Sequence, residues 1–149
     1  MLAGKVALIT GGGQGVGRGI ALALARHGAK IALLGRTPAK LEAVAAEIGD
    51  NAACFAADVK DATAAKAAVR AVADRFGGID ILVNNAQEVP LGPLLAVEDA
   101  AFEAGFASGP LASFRLMKAC HPYLRQRGGG TIINLASSAA VRWDMANYG

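Results

Sequence analysis

The chain has 149 residues, 54% hydrophobic and 18% charged, with a net charge of +3. That length fits one domain with a full hydrophobic core, and the scattered basic residues, without a Lys/Arg run interleaved with aromatics, argue against a nucleic-acid partner. No run reaches the roughly 18 apolar residues of a membrane helix, the start MLAGKVALIT is too short an apolar run for a secretory leader, and Cys54 and Cys120 have neither metal-ligand spacing nor the number for a disulfide framework. A cytoplasmic protein with free thiols, no metal and no membrane contact is expected.

Short apolar runs then alternate with amphipathic stretches. Val6–Ile9 reads as a strand and Val16–His27 as a helix, closed by Gly28. Ile31–Leu34 is a second strand. Thr37 has the character of an N-cap, Pro38 suits the first helical position, and the helix reaches about Ile48. Ala53–Ala57 is a weak third strand, and Asp61 or Thr63 caps a helix to about Phe76. Ile79–Val83 is a fourth strand, and Gln87–Ala96, with Pro90 and Pro93, is a loop. A helical stretch spans about Val97 to Leu124 with a break or kink expected at Gly109-Pro110. Gly128, Gly129 and Gly130 make a turn before a fifth strand, Thr131–Ala136. Strands joined by helices of this length are parallel, with helices on both faces, so a doubly wound α/β sheet follows. Ligands of such sheets bind at the carboxyl ends of the strands.

The first strand runs into Thr10-Gly11-Gly12-Gly13-Gln14-Gly15-Val16-Gly17. A diphosphate must lie against bare backbone at a helix N-terminus, where N–H groups point outward. Glycines at 11, 15 and 17 on the first strand-to-helix turn meet that need, so this loop is a dinucleotide-binding candidate through Thr10, Gly11, Gly13, Gln14, Gly15, Val16 and Gly17. The second strand ends in Gly35-Arg36-Thr37, where an acidic residue would bond the ribose 2′-hydroxyl of NAD. Arg36 can instead pair with a 2′-phosphate, and Thr37 can add a hydroxyl. NADP is therefore the expected cofactor, with NAD the alternative.

The spacing TGxxxGxG resembles that of the short-chain dehydrogenase/reductase family. Ala57-Asp58-Val59, Asp80-Ile81-Leu82-Val83-Asn84-Asn85-Ala86 and Thr131-Ile132-Ile133-Asn134-Leu135 match further family segments in the same order. The resemblance covers the whole chain. It implies a Rossmann sheet of strand order 3-2-1-4-5, as the N-terminal part of a longer domain with further C-terminal strands. It also places Asp58 and Val59 at the adenine and adds Asn85 and Ala86 to the cofactor site. Residues 1–149 are then an NAD(P)-binding domain of an oxidoreductase that moves a hydride between nicotinamide and a small carbonyl or alcohol, and homo-oligomers are expected. A non-catalytic dinucleotide-binding module is the rival reading.

The family's chemistry uses a serine, a tyrosine and a lysine in a Tyr-x-x-x-Lys segment, with an asparagine assisting. Aligning Asn134-Leu135-Ala136-Ser137 puts the serine at Ser137, with Ser138 as the alternative. Tyr148 follows Ser137 by 11 residues and Ser138 by 10, which is short of the family's spacing. It reads as a neighbour of the catalytic tyrosine, although it is the one tyrosine in reach and stays a candidate. No residue stands at the lysine position, so the 149-residue chain by itself is expected to be inactive. Two positions depart from the family's pattern: Gln87 stands where a glycine is usual, and Gly109 where the assisting asparagine is usual. Gln14 stands where many NADP-binding relatives carry a basic side chain. His27 and His121 have no partner nearby in sequence and read as structural or surface residues.

Overall fold

A computed structural model describes residues 1–137. Five parallel strands form one sheet in the order β3-β2-β1-β4-β5. They are β1 (Val6–Thr10), β2 (Lys30–Gly35), β3 (Ala52–Ala56), β4 (Ile81–Asn84) and β5 (Thr131–Asn134). The two-residue period of a strand divides their apolar side chains between two faces. Val6, Leu8, Ala32, Leu34 and Leu82 pack beneath α3 (Ala62–Phe76) and α5 (Ala112–Gln126), against Val69, Val72, Leu116 and Cys120. Ala7, Ile9, Ile31, Leu33 and Val83 face the other way, toward α1 (Gly15–Arg26) and α2 (Pro38–Ile48), against Ala21, Leu41 and Val44. All five β1 residues are buried, as a central strand covered on both faces requires.

The element ends shift where tertiary contacts decide them. β4 starts at Ile81 rather than Ile79 because Asp80 is an anchor before the strand. Its carboxylate accepts from Val6 N at 2.9 Å, from Lys5 Nζ at 3.0 Å and from Arg127 Nη2 at 3.1 Å. Arg127 also donates to Gly4 O at 2.8 Å, so one carboxylate ties β1, β4 and the end of α5 together. β5 stops at Asn134 rather than Ala136, and only Leu135 N continues the ladder, donating to Asn84 O at 3.1 Å. β3 covers Ala52–Ala56, one residue earlier than the apolar run suggested. Asp61, not Thr63, caps α3, accepting from Thr63 N and Ala64 N.

The expected break at Gly109-Pro110 takes another form. α4 (Asp99–Phe106) passes through a π-helical segment, Ala107–Leu111, directly into α5. Proline lacks the N–H for an ordinary helical bond, and its ring collides with the carbonyl four residues back. Widening the turn accommodates Pro110 without ending the helix. The same segment buries Ser108, which is 3% exposed, below the loop that follows β4.

Candidate functional site

The carboxyl ends of β1, β2, β3 and β4 open into a cleft of about 390 Å³, within the range of small-molecule sites. Gly11, Gly13, Gln14, Gly15 and Val16 line its floor. α1 starts here, and Arg18 N makes the first helical bond, to Gln14 O at 3.1 Å. The N–H groups of Gly15, Val16 and Gly17 precede that bond and have no carbonyl within the helix. No acidic residue lies in the first turn, so the positive end of the helix dipole is uncompensated. Gly15 has a φ of +53°, a conformation that costs other residues roughly 1–2 kcal/mol, and a β-carbon there would meet nothing within 4 Å. That open space over unpaired donors suits a diphosphate.

Gly17 has a different task. A β-carbon on it would lie 2.3 Å from Gly11 O and 2.6 Å from Asn85 Nδ2, so α1 can approach the loop only without a side chain. Asn85 and Thr10 complete this lock. Thr10 Oγ1 accepts from Asn85 N and Ala86 N, both at 2.9 Å, and donates to Val83 O at 3.3 Å. Asn85 Nδ2 donates to Thr10 O at 2.9 Å. Thr10 is 1% exposed and does not line the cleft, so the lock holds β1's loop to the end of β4.

Arg36, Thr37, Asp58, Val59 and Ala86 line the cleft farther along, beside Gly35. Asp58 Oδ1 accepts from Lys60 N at 2.9 Å and so shapes the turn after β3. Three charged residues here escaped sequence reasoning. Lys40, on the first turn of α2, donates through Nζ to Gln14 Oε1 at 2.6 Å, which puts a cation beside the neutral Gln14. Glu88, from the loop after β4, pairs with Arg36 Nη1 and with Lys60 Nζ at 3.0 Å. These partners are 52 and 28 residues apart in sequence, so no local pattern announces them.

A second hollow, of about 690 Å³, continues past Asn85 and Ala86 toward the end of β5. Ser113, Asn134 and Ser137 are among its lining residues. Asn84, 5% exposed, donates through Nδ2 to Asn134 Oδ1 at 2.8 Å. Its own Oδ1 is buried without a partner among the described residues, and a bound water or a ligand donor would satisfy it. The two departures noted in sequence meet here: a β-carbon on Gly109 would lie 3.3 Å from Gln87 Cδ and Nε2. The Gln87 amide therefore lies in the space that a side chain at 109 would need. Ser138 and Tyr148 lie outside the described residues.

The short chain dehydrogenase family matches residues 5–148. The chain belongs to that family. It is 40% identical over 143 residues to D-threitol dehydrogenase of Mycolicibacterium smegmatis, covering 94% of this chain and 55% of that protein. It is 40% identical over 139 residues to galactitol 2-dehydrogenase of Agrobacterium fabrum, covering 93% of this chain and 54% of that one. Among solved structures, a 3-ketoacyl-ACP reductase from Sinorhizobium meliloti 1021 superposes with a TM-score of 0.83 at 40% identity, over 89% of this chain and 53% of that chain. The chain thus spans about half the length of the relatives it matches. The Rossmann-type sheet order expected of the family is the order observed. Among the described residues no helix is long and apolar enough to cross a membrane, and no cluster of His, Cys, Asp and Glu could hold a metal.

Proposed function

We propose that this chain is the dinucleotide-binding part of an NADP-dependent oxidoreductase acting on a small carbonyl or alcohol. The observation that carries the reading is the start of α1: Gly15 and Val16, whose N–H groups have no carbonyl within the helix, and the open space at Gly15 lie on a cleft that Arg36 also lines. Gly11, Gly13, Gln14, Gly15 and Val16 would hold the diphosphate, Asp58, Val59 and Ala86 the adenosine, with Thr10, Gly17 and Asn85 fixing the loop. Arg36 and Thr37 lie where the ribose 2′ position is expected, and no acidic side chain follows β2 to favour a 2′-hydroxyl. When bound, nicotinamide supplies the hydride chemistry, and the protein positions it and handles the proton.

The second hollow supports a substrate site. Ser137 lines it and is the candidate to bond the substrate oxygen, with Ser138 the neighbouring alternative. Tyr148 is a candidate for the proton-transferring group, to be tested by Tyr148→Phe. Polyols such as D-threitol and galactitol, named by two relatives, open the substrate panel. A homo-oligomer would draw on the exposed Phe102, Phe106 and Phe114 of α4 and α5 as contact residues.

Cofactor choice tests the reading. Arg36→Asp should lower NADPH affinity by at least about tenfold and raise NADH affinity, since a paired charge becomes a repelling one. Fluorescence titration of the native chain should show NADPH bound more tightly than NADH. Tighter NADH binding by the native chain would overturn the NADP assignment.

A further inference from the structure

The observation is the carboxylate of Glu88. It lies between two cations, Arg36 behind β2 and Lys60 behind β3, with Lys60 Nζ 3.0 Å and 3.2 Å from its two oxygens. Both ends of this bridge are held in place. The Glu88 backbone N–H donates to the buried Ser108 Oγ at 2.9 Å, and Ser108 in turn donates to Gly105 O at 3.2 Å. A β-carbon on Gly105 would come within 3.0 Å of Glu88 O, so the loop lies tight against α4. Lys60 is fixed through its own backbone, its N–H on Asp58 and its carbonyl accepting from Arg115 Nη1 at 3.3 Å. Glu88 therefore reaches past β1 to the adenosine end of the cleft on a supported stem. An exposed ion pair between flexible side chains would say little. This one joins three strand ends, and its Glu88 and Lys60 side chains are only 32% and 31% exposed.

We infer that Glu88 occupies the anion seat formed by Arg36 and Lys60 and thereby sets the discrimination between cofactors with and without a 2′-phosphate. The inference rests on the dinucleotide reading above. A carboxylate and a phosphate oxygen pair compete for the same guanidinium and ammonium donors. A 2′-phosphate reaches the Arg36 Nη1 and Lys60 Nζ donors that Glu88 holds by displacing it, and at the remaining guanidinium donors it meets the carboxylate's repulsion at close range. A cofactor ending in a 2′-hydroxyl leaves the bridge intact. Glu88 thus narrows a preference that Arg36, Lys40 and Lys60 would otherwise make large.

The test uses the purified chain and the half-molecule probes 2′,5′-ADP and 5′-AMP, followed by calorimetry, beside NADPH and NADH. Glu88→Gln keeps the size of the side chain and removes its charge. It should tighten 2′,5′-ADP and NADPH by about tenfold, with 5′-AMP and NADH changed by less than about twofold. Lys60→Gln should weaken 2′,5′-ADP and leave 5′-AMP unchanged, with both variants keeping the native circular dichroism. Unchanged or weaker 2′,5′-ADP binding in Glu88→Gln would overturn the inference while leaving dinucleotide binding in place. Failure of all four ligands to bind the native chain would overturn both.

Discussion

Gly17 shows how one hydrogen atom in place of a methyl can determine a site. A methyl there would sit 2.3 Å from Gly11 O, a distance that no rotamer change relieves because the backbone fixes both the β-carbon position and the carbonyl. Gly17→Ala should therefore destabilise the chain by about 1–3 kcal/mol, as overpacking does, and lower dinucleotide affinity. Gly19, one residue pair further along α1, has nothing within 4 Å of its β-carbon position. Gly19→Ala should stabilise the helix by up to about 1 kcal/mol and leave the cleft intact. Thermal melts of the two variants check the contrast, and equal melting temperatures would remove the close-approach argument. Sequence spacing set Gly15 and Gly17, but not Gly19, apart from their surroundings, and it did not tell Gly15 and Gly17 from one another. Gly15 and Gly17 look alike as letters, yet a β-carbon on one would meet the open cleft and on the other a neighbouring loop. Substituting Gly15 by valine would strain the backbone as well as fill the cleft, because its φ is +53°.

At the scale of elements, the strands were legible because their apolar runs are continuous and sandwiched between helices. Their ends were less so, since hydrogen bonds from distant residues set them. Asp80 was visible as a motif letter, but its partners Lys5 and Arg127 lie 75 and 47 residues away. Burial pushes its carboxyl group up, while Arg127, the Val6 N–H and Lys5 together outweigh that and hold it below the ordinary aspartate value. A carboxyl group depressed in the folded state stabilises the fold above its unfolded pKa, about 3.9, and this contribution disappears as pH falls through the lower folded value. Asp80→Asn should cost roughly 1.5–3 kcal/mol near neutral pH, the worth of hydrogen bonds to a charged group, since the remaining Lys5 and Arg127 reach solvent. Its melting temperature should converge with that of the native chain as pH falls below about 4. A difference that stays constant from pH 7 to pH 3 would contradict the electrostatic account of this anchor. The π segment was likewise half-legible. Pro110 announced a disturbance, but the surrounding packing of Ser108 and Gly109, both buried, keeps the helix continuous.

At the scale of the whole molecule, the parallel direction of all five strands places every strand's carboxyl end on one rim, and the cleft follows from that topology. The glycine loop and Arg36 were readable from sequence because they follow single strands. Lys40, Lys60 and Glu88 were not, because their meeting depends on the order β3-β2-β1-β4 and on the exact reach of three loops. The central claim is that this rim holds a dinucleotide by its diphosphate at the start of α1. Amide chemical shifts of the isotope-labelled chain, followed while NADPH is added, test it most directly. The N–H groups of Gly15, Val16 and Gly17 should show the largest saturable shifts, with Gly11 and Gly13 close behind and Gly128 and Gly129, at the opposite end of the sheet, unmoved. Saturable shifts confined to residues away from the β1–α1 loop, or none at millimolar NADPH, would contradict the account.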